Sequence, residues 1–397
     1  MDGKNLLVLT SAFPDSENRS TGGIFVKEQI QEIKKYFDNI YVISRNSIFS
    51  KYFDQNNFSN YSFENVNVYY MDSYNFPIPY LPHILRGFWL NIESKQLLKV
   101  IRSKKIHFDL IHAHYTWYCG SIAVRLKNKF HVPVVITEHT SNSMNQAIKN
   151  NDAVWIKTWE DADHIIRVKS SDIAQIEGVG IPKHKISYIP NGYTQYKFYP
   201  RDLKNCRKLL GLPLDKKILL YVGNFYDPVK GHVHLVNATK ELLRVRKDFI
   251  VIFIGTGKLK KDIEDYVTHT NLSSYIMMPS GRPHDEIGLW MNACDLFVLP
   301  SLSESFGIVQ IEALACGKPI VATKNGGSEE ILIADEYGFL VEPANPRDLA
   351  DKILKALDKQ WDQEIILHYA EQFTWEKIAK EIMDVYSKIL DTEGYVK

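Results

Sequence analysis

The feature that most constrains this chain is a repeated alternation of short, nearly continuous apolar runs with helical patterns. LLVLTS at 6–11, IYVIS at 40–44, LIHAH at 110–114 and VVITEH at 134–139 mark the first half, with the helical KEQIQEIKKYF at 27–37 after the first run. ILLYVGN at 218–224, FIVIFIG at 249–255, DLFVLPS at 295–301 and KPIVAT at 318–323 repeat the scheme in the second half. Strands that are apolar throughout and separated by helices belong to parallel sheets covered on both faces. Two such series predict an α/β protein of two Rossmann-like, doubly wound domains facing each other across a cleft. The boundary falls in YIPNGYTQYKFYP at 188–200, where Pro190, Asn191, Gly192 and Pro200 interrupt both periodicities with turn chemistry. In open parallel sheets, ligands bind beyond the carboxyl ends of the strands, so the loops after the strands are where chemistry is expected.

Charge and cysteine content narrow the class. With 48 Lys and Arg against 47 Asp and Glu in 397 residues, the chain lacks the basic excess of a nucleic-acid binder. Its longest apolar runs, such as 249–255, are well short of the roughly eighteen residues of a membrane span. No charged n-region followed by an apolar h-region opens the sequence, which leads us to expect a cytoplasmic protein. Cys119, Cys206, Cys294 and Cys316 form no C-x-x-C pair and read as small buried hydrophobes. The pairs His112/His114 and His232/His234 have a spacing that on a strand turns both rings to one face. Neither has a third ligand nearby in sequence, so no metal is assigned to them.

The overall neutrality conceals a gradient. Residues 1–200 carry 23 basic against 18 acidic side chains, net +5, and residues 201–397 carry 25 against 29, net −4. Lys95, Lys99, Arg102, Lys104, Lys105, Arg125, Lys127 and Lys129 in 95–131 are balanced only by Asp109. The aromatic and proline-rich stretch 74–90 precedes them, a combination that can meet an anionic membrane surface. Its structural alternative is a solvated helix face beside a packed loop.

The most informative segment is LPSLSESFGIVQIEALACGKPIVATKNGGSEEIL at 299–332. A strand ends at Pro300, a loop carries Glu304, a helix is expected from near Phe306 to Ala315, and Gly317 closes it. The unsatisfied amides and dipole at such a helix start suit an anion or sugar hydroxyls. Glu312, about two turns inside the helix, and Glu304, before it, would grip different parts of one long ligand.

This segment resembles the retaining glycosyltransferases of the GT-B fold in the group 1, glycogen-synthase-like class, whose signature is two glutamates separated by seven residues. Further matching features, in the same order, are Gly22-Gly23, TEH at 137–139, IPNG at 189–192, VGN…KG at 222–231, IGTG at 254–257 and SGRPHDEI at 280–287. FTWEKIAKEIMDVYSKIL at 373–390 matches the helical segment that in the family crosses back to the first domain. The resemblance thus implies an acceptor-side domain of 1–192 plus about 376–397, and a nucleotide-sugar domain of 193–375.

It also implies residue roles. Glu304 would bind donor-sugar hydroxyls and Glu312 the ribose. The amides of Phe306, Gly307 and Ile308 would meet the sugar or diphosphate, and Gly281 and Arg282 would lie beside the base. Lys230 would pair with the diphosphate, Gly23 would let backbone approach the phosphates, and His139 would stand near the reacting sugar. Many members have Arg where this chain has Asn224, so a neutral side chain replaces a charge-assisted contact to the leaving group.

The reaction so implied moves a hexose-type sugar from a nucleotide-diphosphate donor, of UDP or GDP type, to a glycan or lipid-linked acceptor, with retention and without cofactor. No Asp-x-Asp motif of metal-dependent transferases is evident on this reading; a cationic side chain and a helix terminus are expected to replace the metal. Cell-surface polysaccharide or glycoconjugate synthesis is the expected setting. A 2-epimerase or a phosphorylase shares the two-domain plan, but neither's distinguishing residues are recognisable. From another class, a catalytically silent nucleotide-sugar-binding or scaffold subunit is the alternative that Asn224 keeps open.

Overall fold

The computed structural model describes residues 3–18, 22–47, 58–73 and 83–391. They form two compact units: one takes in the described residues up to Pro190 and those from Glu376 onward, the other is Asn191–Trp375. The aromatic stretch 74–82 lies outside the described residues.

The first unit is built on strands β1 (Asn5–Thr10), β2 (Asn39–Ser47), β3 (Tyr61–Phe63), β4 (Val66–Ser73), β5 (Leu110–His114), β6 (Val134–Glu138), β7 (His164–Arg167) and β8 (Ile186–Tyr188). Their spatial order is β3-β4-β2-β1-β5-β6-β7-β8. Only the β3/β4 pair is antiparallel. Leu6, Leu7 and Val8 of β1 are wholly buried, as the continuous apolar runs require of a sheet covered on both faces. The order reverses at β1, which pairs β2 on one side and β5 on the other. The carboxyl ends of β1 and β5 therefore flank a topological switch point.

The second unit holds β9 (Lys217–Val222), β10 (Phe249–Ile254), β11 (Ile276–Met277), β12 (Leu296–Leu299), β13 (Ile320–Thr323) and β14 (Gly338–Val341). The order is β11-β10-β9-β12-β13-β14, parallel throughout, with the reversal between β9 and β12. All six residues of β10 are buried, matching the unbroken FIVIFI run. Both units are α/β parallel-sheet domains.

Each apolar run named from sequence forms a strand. β3, β4, β7, β8, β11 and β14 leave no apolar run of that kind in the sequence. All but β4 span four residues or fewer, too short to show a period. β4 hides its pattern behind Asn67 and Asp72 while burying Val66, Val68 and Met71. The helix expected from near Phe306 begins only at Ile308 and ends at Ala315. Its cap, Gly307, sits at φ 88°, a left-handed conformation that keeps Phe306 and Gly307 outside the helix. Glu312 consequently lies one turn inside, about 6 Å along the axis at 1.5 Å per residue, rather than two turns.

Cys119, Cys206, Cys294 and Cys316 are free and buried. Among the described residues no cluster of three His, Cys, Asp or Glu side chains could hold a metal, and no helix is long and apolar enough to cross a membrane.

Candidate functional site

In the second unit the switch point brings two loops together. Gly231 has φ 71°, and a Cβ there would lie 2.0 Å from the Pro300 carbonyl oxygen. Only glycine lets the loop after β9 touch the loop after β12 so closely. The Leu302 amide also donates to the Val229 carbonyl at 2.7 Å. This contact sets Lys230 beside Glu304: Lys230 Nζ donates to both carboxylate oxygens, at 2.8 and 3.0 Å. Ser301 Oγ donates a further bond to Glu304 Oε1 at 2.8 Å. The loop after β13 completes the frame, because the Glu304 amide donates to the Asn325 carbonyl at 2.9 Å and Thr323 Oγ1 donates to the Ser301 carbonyl.

Beyond Glu304 the helix Ile308–Ala315 presents its N-terminus, where the Ile308 and Val309 amides have no carbonyl of their own helix to meet and the Gln310 amide donates to the Gly307 carbonyl at 2.9 Å. Gln310 Nε2 donates to the Phe306 carbonyl at 3.3 Å, and Phe306 is buried. Glu312, almost fully buried, pairs with His284 Nε2 at 2.9 Å. His284 opens the helix His284–Ala293. The irregular segment before it holds Gly281, where a Cβ would meet Thr256 Cγ2 at 2.4 Å, and exposed Arg282, whose guanidinium stands 5.5 Å from the Trp290 ring. Asn224 is exposed, and its Oδ1 accepts from the Tyr226 amide at 3.2 Å.

In the first unit β6 delivers Glu138 and His139 to the carboxyl edge of the sheet. His139 Nε2 is 2.9 Å from His114 Nδ1, and the two rings stack with centroids 5.2 Å apart. Phe25 packs edge-on against His139 at 4.8 Å. Burial, followed by the charges of Arg167 and His112, holds His139 well below the ordinary histidine range, so the ring is neutral near pH 7. Burial, then His112 and His139, does the same to His114. His112 is pushed down to about 3 by burial alone; its Nδ1 meets Tyr386 Oη at 2.6 Å and its Nε2 meets Thr137 Oγ1 at 2.7 Å. Gly23, with φ 72°, caps the helix Ile24–Ile33, and a Cβ there would lie 2.1 Å from the Ala12 carbonyl oxygen.

Two regions of the chain match families of known proteins. Residues 204–386 match the glycosyl transferases group 1, and residues 50–194 match glycosyltransferase family 4. An uncharacterized glycosyltransferase of Methanocaldococcus jannaschii is 32% identical over 327 residues, covering 78% of this chain and 84% of its relative. The chain belongs to the group 1 glycosyltransferases.

Other similarities agree with that membership. A D-inositol 3-phosphate glycosyltransferase of Corynebacterium urealyticum is 29% identical, with 74% of each chain covered. The GT-B architecture is shared with sucrose-phosphate synthase of Thermosynechococcus elongatus, at TM-score 0.79 and 23% identity over 98% of this chain and 99% of that one. Anabaena HepE, solved in complex with UDP-glucose, has TM-score 0.73 and 21% identity over 97% of this chain and 100% of that one.

Among the group 1 signature residues, the structure joins Lys230 to Glu304 directly, places Gly307 and Ile308 at the helix start and sets Glu312 one turn on. It keeps Gly281 and Arg282 on the separate segment that leads into the helix His284–Ala293, and it places His139 and Gly23 in the first unit. Sequence reasoning missed Ser301 and His284, which hold the two carboxylates. Ser301 could have been suspected from its spacing of three to Glu304, and His284 from its place in SGRPHDEI. Two expectations need correction. His232 and His234 start the helix His232–Leu242 rather than a strand, so their spacing of two does not put them on one face. The sequence also does contain an Asp-x-Asp tripeptide at 161–163, and it is used structurally: Asp161 pairs with Lys157, while Asp163 pairs with Lys127 and accepts from the Val134 amide.

Proposed function

We propose that this group 1 glycosyltransferase transfers a hexose-type sugar from a UDP or GDP sugar to a glycan or lipid-linked acceptor, with retention and without metal or other cofactor. The observation that carries the reading is the Lys230–Glu304 pair at the switch point of the second sheet, next to the open N-terminus of Ile308–Ala315. A diphosphate binds there by drawing Lys230 toward its oxygens and by accepting from the first-turn amides. Glu304 then accepts from donor-sugar hydroxyls, and Glu312, oriented by His284, accepts from ribose hydroxyls. The bond from the anomeric carbon to the phosphate oxygen breaks, and a bond to the acceptor oxygen forms on the same face. The acceptor proton passes to the departing phosphate. Lys230 and the helix terminus stabilise the charge that develops on the leaving group, the task a metal performs elsewhere.

Support also comes from HepE, a GT-B neighbour solved with UDP-glucose, and, for the transfer itself but not for the acceptor, from relatives named as D-inositol 3-phosphate glycosyltransferases. A thermal-shift screen of UDP and GDP sugars tests the reading, since a ligand at a hundred times its Kd stabilises by about 2.7 kcal/mol. Stabilisation by one donor, lost in Lys230→Ala, is the expected result; no response to any nucleotide sugar refutes it. Asn224, exposed and neutral, favours the second reading of a silent nucleotide-sugar-binding subunit. That reading requires donor binding with neither transfer nor donor hydrolysis.

A cytoplasmic enzyme working at the inner face of a membrane fits the basic region 95–131. Lys95, Lys99, Arg102 and Lys129 line one open surface groove, whereas Lys127 is neutralised by Asp163. Charge reversal at Lys99 and Arg102 is expected to abolish binding to vesicles containing phosphatidylserine. Unchanged binding removes the membrane contact. Synthesis of a cell-surface polysaccharide or glycoconjugate is the role consistent with such a location.

A further inference from the structure

A cavity of about 150 Å³ opens in the first unit beside the end of β6. Pockets for drug-sized ligands run to about 300–1,000 Å³, so this one suits a single ring rather than a whole glycan or a lipid tail. Tyr115, Trp117 and Trp155 supply aromatic walls, and Thr140, Ser143, Gln146 and Asn150 supply hydroxyl and amide groups. Flat apolar surfaces mixed with neutral donors and acceptors match a pyranose, which has apolar C–H faces and an equatorial belt of hydroxyls.

The ionisable lining makes the cavity selective. Its charged members are Arg86, Glu138 and Asp152. Arg86 Nη1 donates to Asp152 Oδ2 at 2.7 Å, with side chains only 7% and 13% exposed. The single lining cation thus already gives one N–H to a carboxylate, which offsets its charge. Asp152 is fixed in turn, because its Oδ1 caps the helix Ala153–Asp161 by accepting from the Val154 and Trp155 amides. Glu138 is wholly buried and held as an acceptor by the Thr116 amide and by the Thr140 amide and hydroxyl, at 2.8, 2.6 and 2.7 Å. It cannot turn away without leaving those donors unsatisfied. An arriving phosphate would meet two anchored carboxylates and one cation that is already paired, and like charges at close quarters are costly. The cavity adjoins His139, whose neighbours Glu138 and Thr140 line it and whose ring lies 5.1 Å from that of Tyr115.

We propose that this cavity is the acceptor subsite and that it takes an uncharged, hydroxyl-rich sugar ring while rejecting a phosphorylated one. Calling the ligand an acceptor rests on the proposed transferase reading; the selectivity of the cavity does not. The test measures binding to the full chain by saturation-transfer NMR, using methyl glucoside, methyl galactoside, methyl mannoside and methyl N-acetylglucosaminide against the matching 6-phosphates. At least one neutral glycoside is expected to bind about tenfold more tightly than its phosphate. Ser143→Trp, which fills the mouth from an exposed helix position, is expected to abolish that binding. Gln146→Lys, also exposed, places an uncommitted cation at the rim and is expected to narrow the preference.

Equal or tighter binding of a 6-phosphate overturns the proposal, as does binding unaffected by Ser143→Trp or a panel in which no glycoside binds. UDP-glucose and GDP-mannose titrated into the same samples report separately on the donor reading. Its failure thus shows as lost nucleotide binding with glycoside selectivity intact.

Discussion

Replacing Lys230 by methionine keeps the length of the side chain and removes its charge. In the structure that charge is shared between both oxygens of Glu304 at 2.8 and 3.0 Å, with the two side chains 23% and 12% exposed. Glu304 keeps its bond from Ser301, so the loss of the pair costs about 1–3 kcal/mol, a shift of a few degrees in Tm for a domain of this size. Donor binding is expected to suffer selectively. A hydrogen bond to a charged group contributes about 1.5–3 kcal/mol, so Kd for UDP or GDP is expected to rise roughly ten- to 150-fold. The bare nucleoside, which has no phosphate to meet Lys230, is expected to bind unchanged. Glu304→Gln acts in the opposite sense on the nucleotide: it removes the carboxylate that competes for Lys230, and UDP or GDP affinity is expected to rise. Transfer nevertheless falls, by about a hundredfold, because the sugar loses its positioning acceptor. Isothermal titration with nucleoside, nucleotide and nucleotide sugar on the two variants separates these effects. If Lys230→Met weakens nucleoside and nucleotide alike, or if Glu304→Gln weakens the nucleotide as much as Lys230→Met does, the reasoning about this pair is wrong.

Three other outcomes follow from the geometry. Gly231→Ala forces a Cβ to within 2.0 Å of the Pro300 carbonyl oxygen at φ 71°; it is expected to lower stability by at least about 1–2 kcal/mol and to weaken donor binding by moving the Glu304 loop, readable by urea unfolding and titration. Tyr386→Phe removes the 2.6 Å bond to His112 Nδ1 within the first unit and is expected to cost about 1–3 kcal/mol in urea unfolding while leaving nucleotide affinity unchanged. The depressed histidines predict acid sensitivity. His112 ordinarily titrates near 6.5 but is held at about 3 in the fold, so its contribution is complete above pH 6.5 and is lost as pH falls toward 3. At pH 5 the loss already amounts to about 2 kcal/mol, and a stability profile that stays flat between about pH 7 and pH 5 contradicts the neutral buried ring.

Much of the fold was legible because local patterns carry it. Runs such as FIVIFI admit few roles other than a strand buried on both faces, and Gly307, Gly231 and Gly23 sit where the backbone needs a conformation that side chains resist. The short strands β7, β8, β11 and β14 were invisible because three or four residues, or two in β11, hold no period; their strand state comes from the neighbours they pair with. Of the candidate site, the signature glutamates stood out by spacing, yet their partners did not. Ser301 and His284 are ordinary polar residues until the loops close on Glu304 and Glu312.

The sequence by itself determined the two αβ series, the turn chemistry at 190–192 and the residue types available to bind a nucleotide sugar, since these depend on residues a few positions apart. Only the tertiary structure decided which of them meet. Lys230 and Glu304 are 74 residues apart, and Arg86 and Asp152 are 66 apart. Lys230 and Glu304 come together because strand order, not sequence order, sets which loops share a sheet edge, whereas Arg86, on the helix His83–Ser103, reaches the residue that caps the helix Ala153–Asp161.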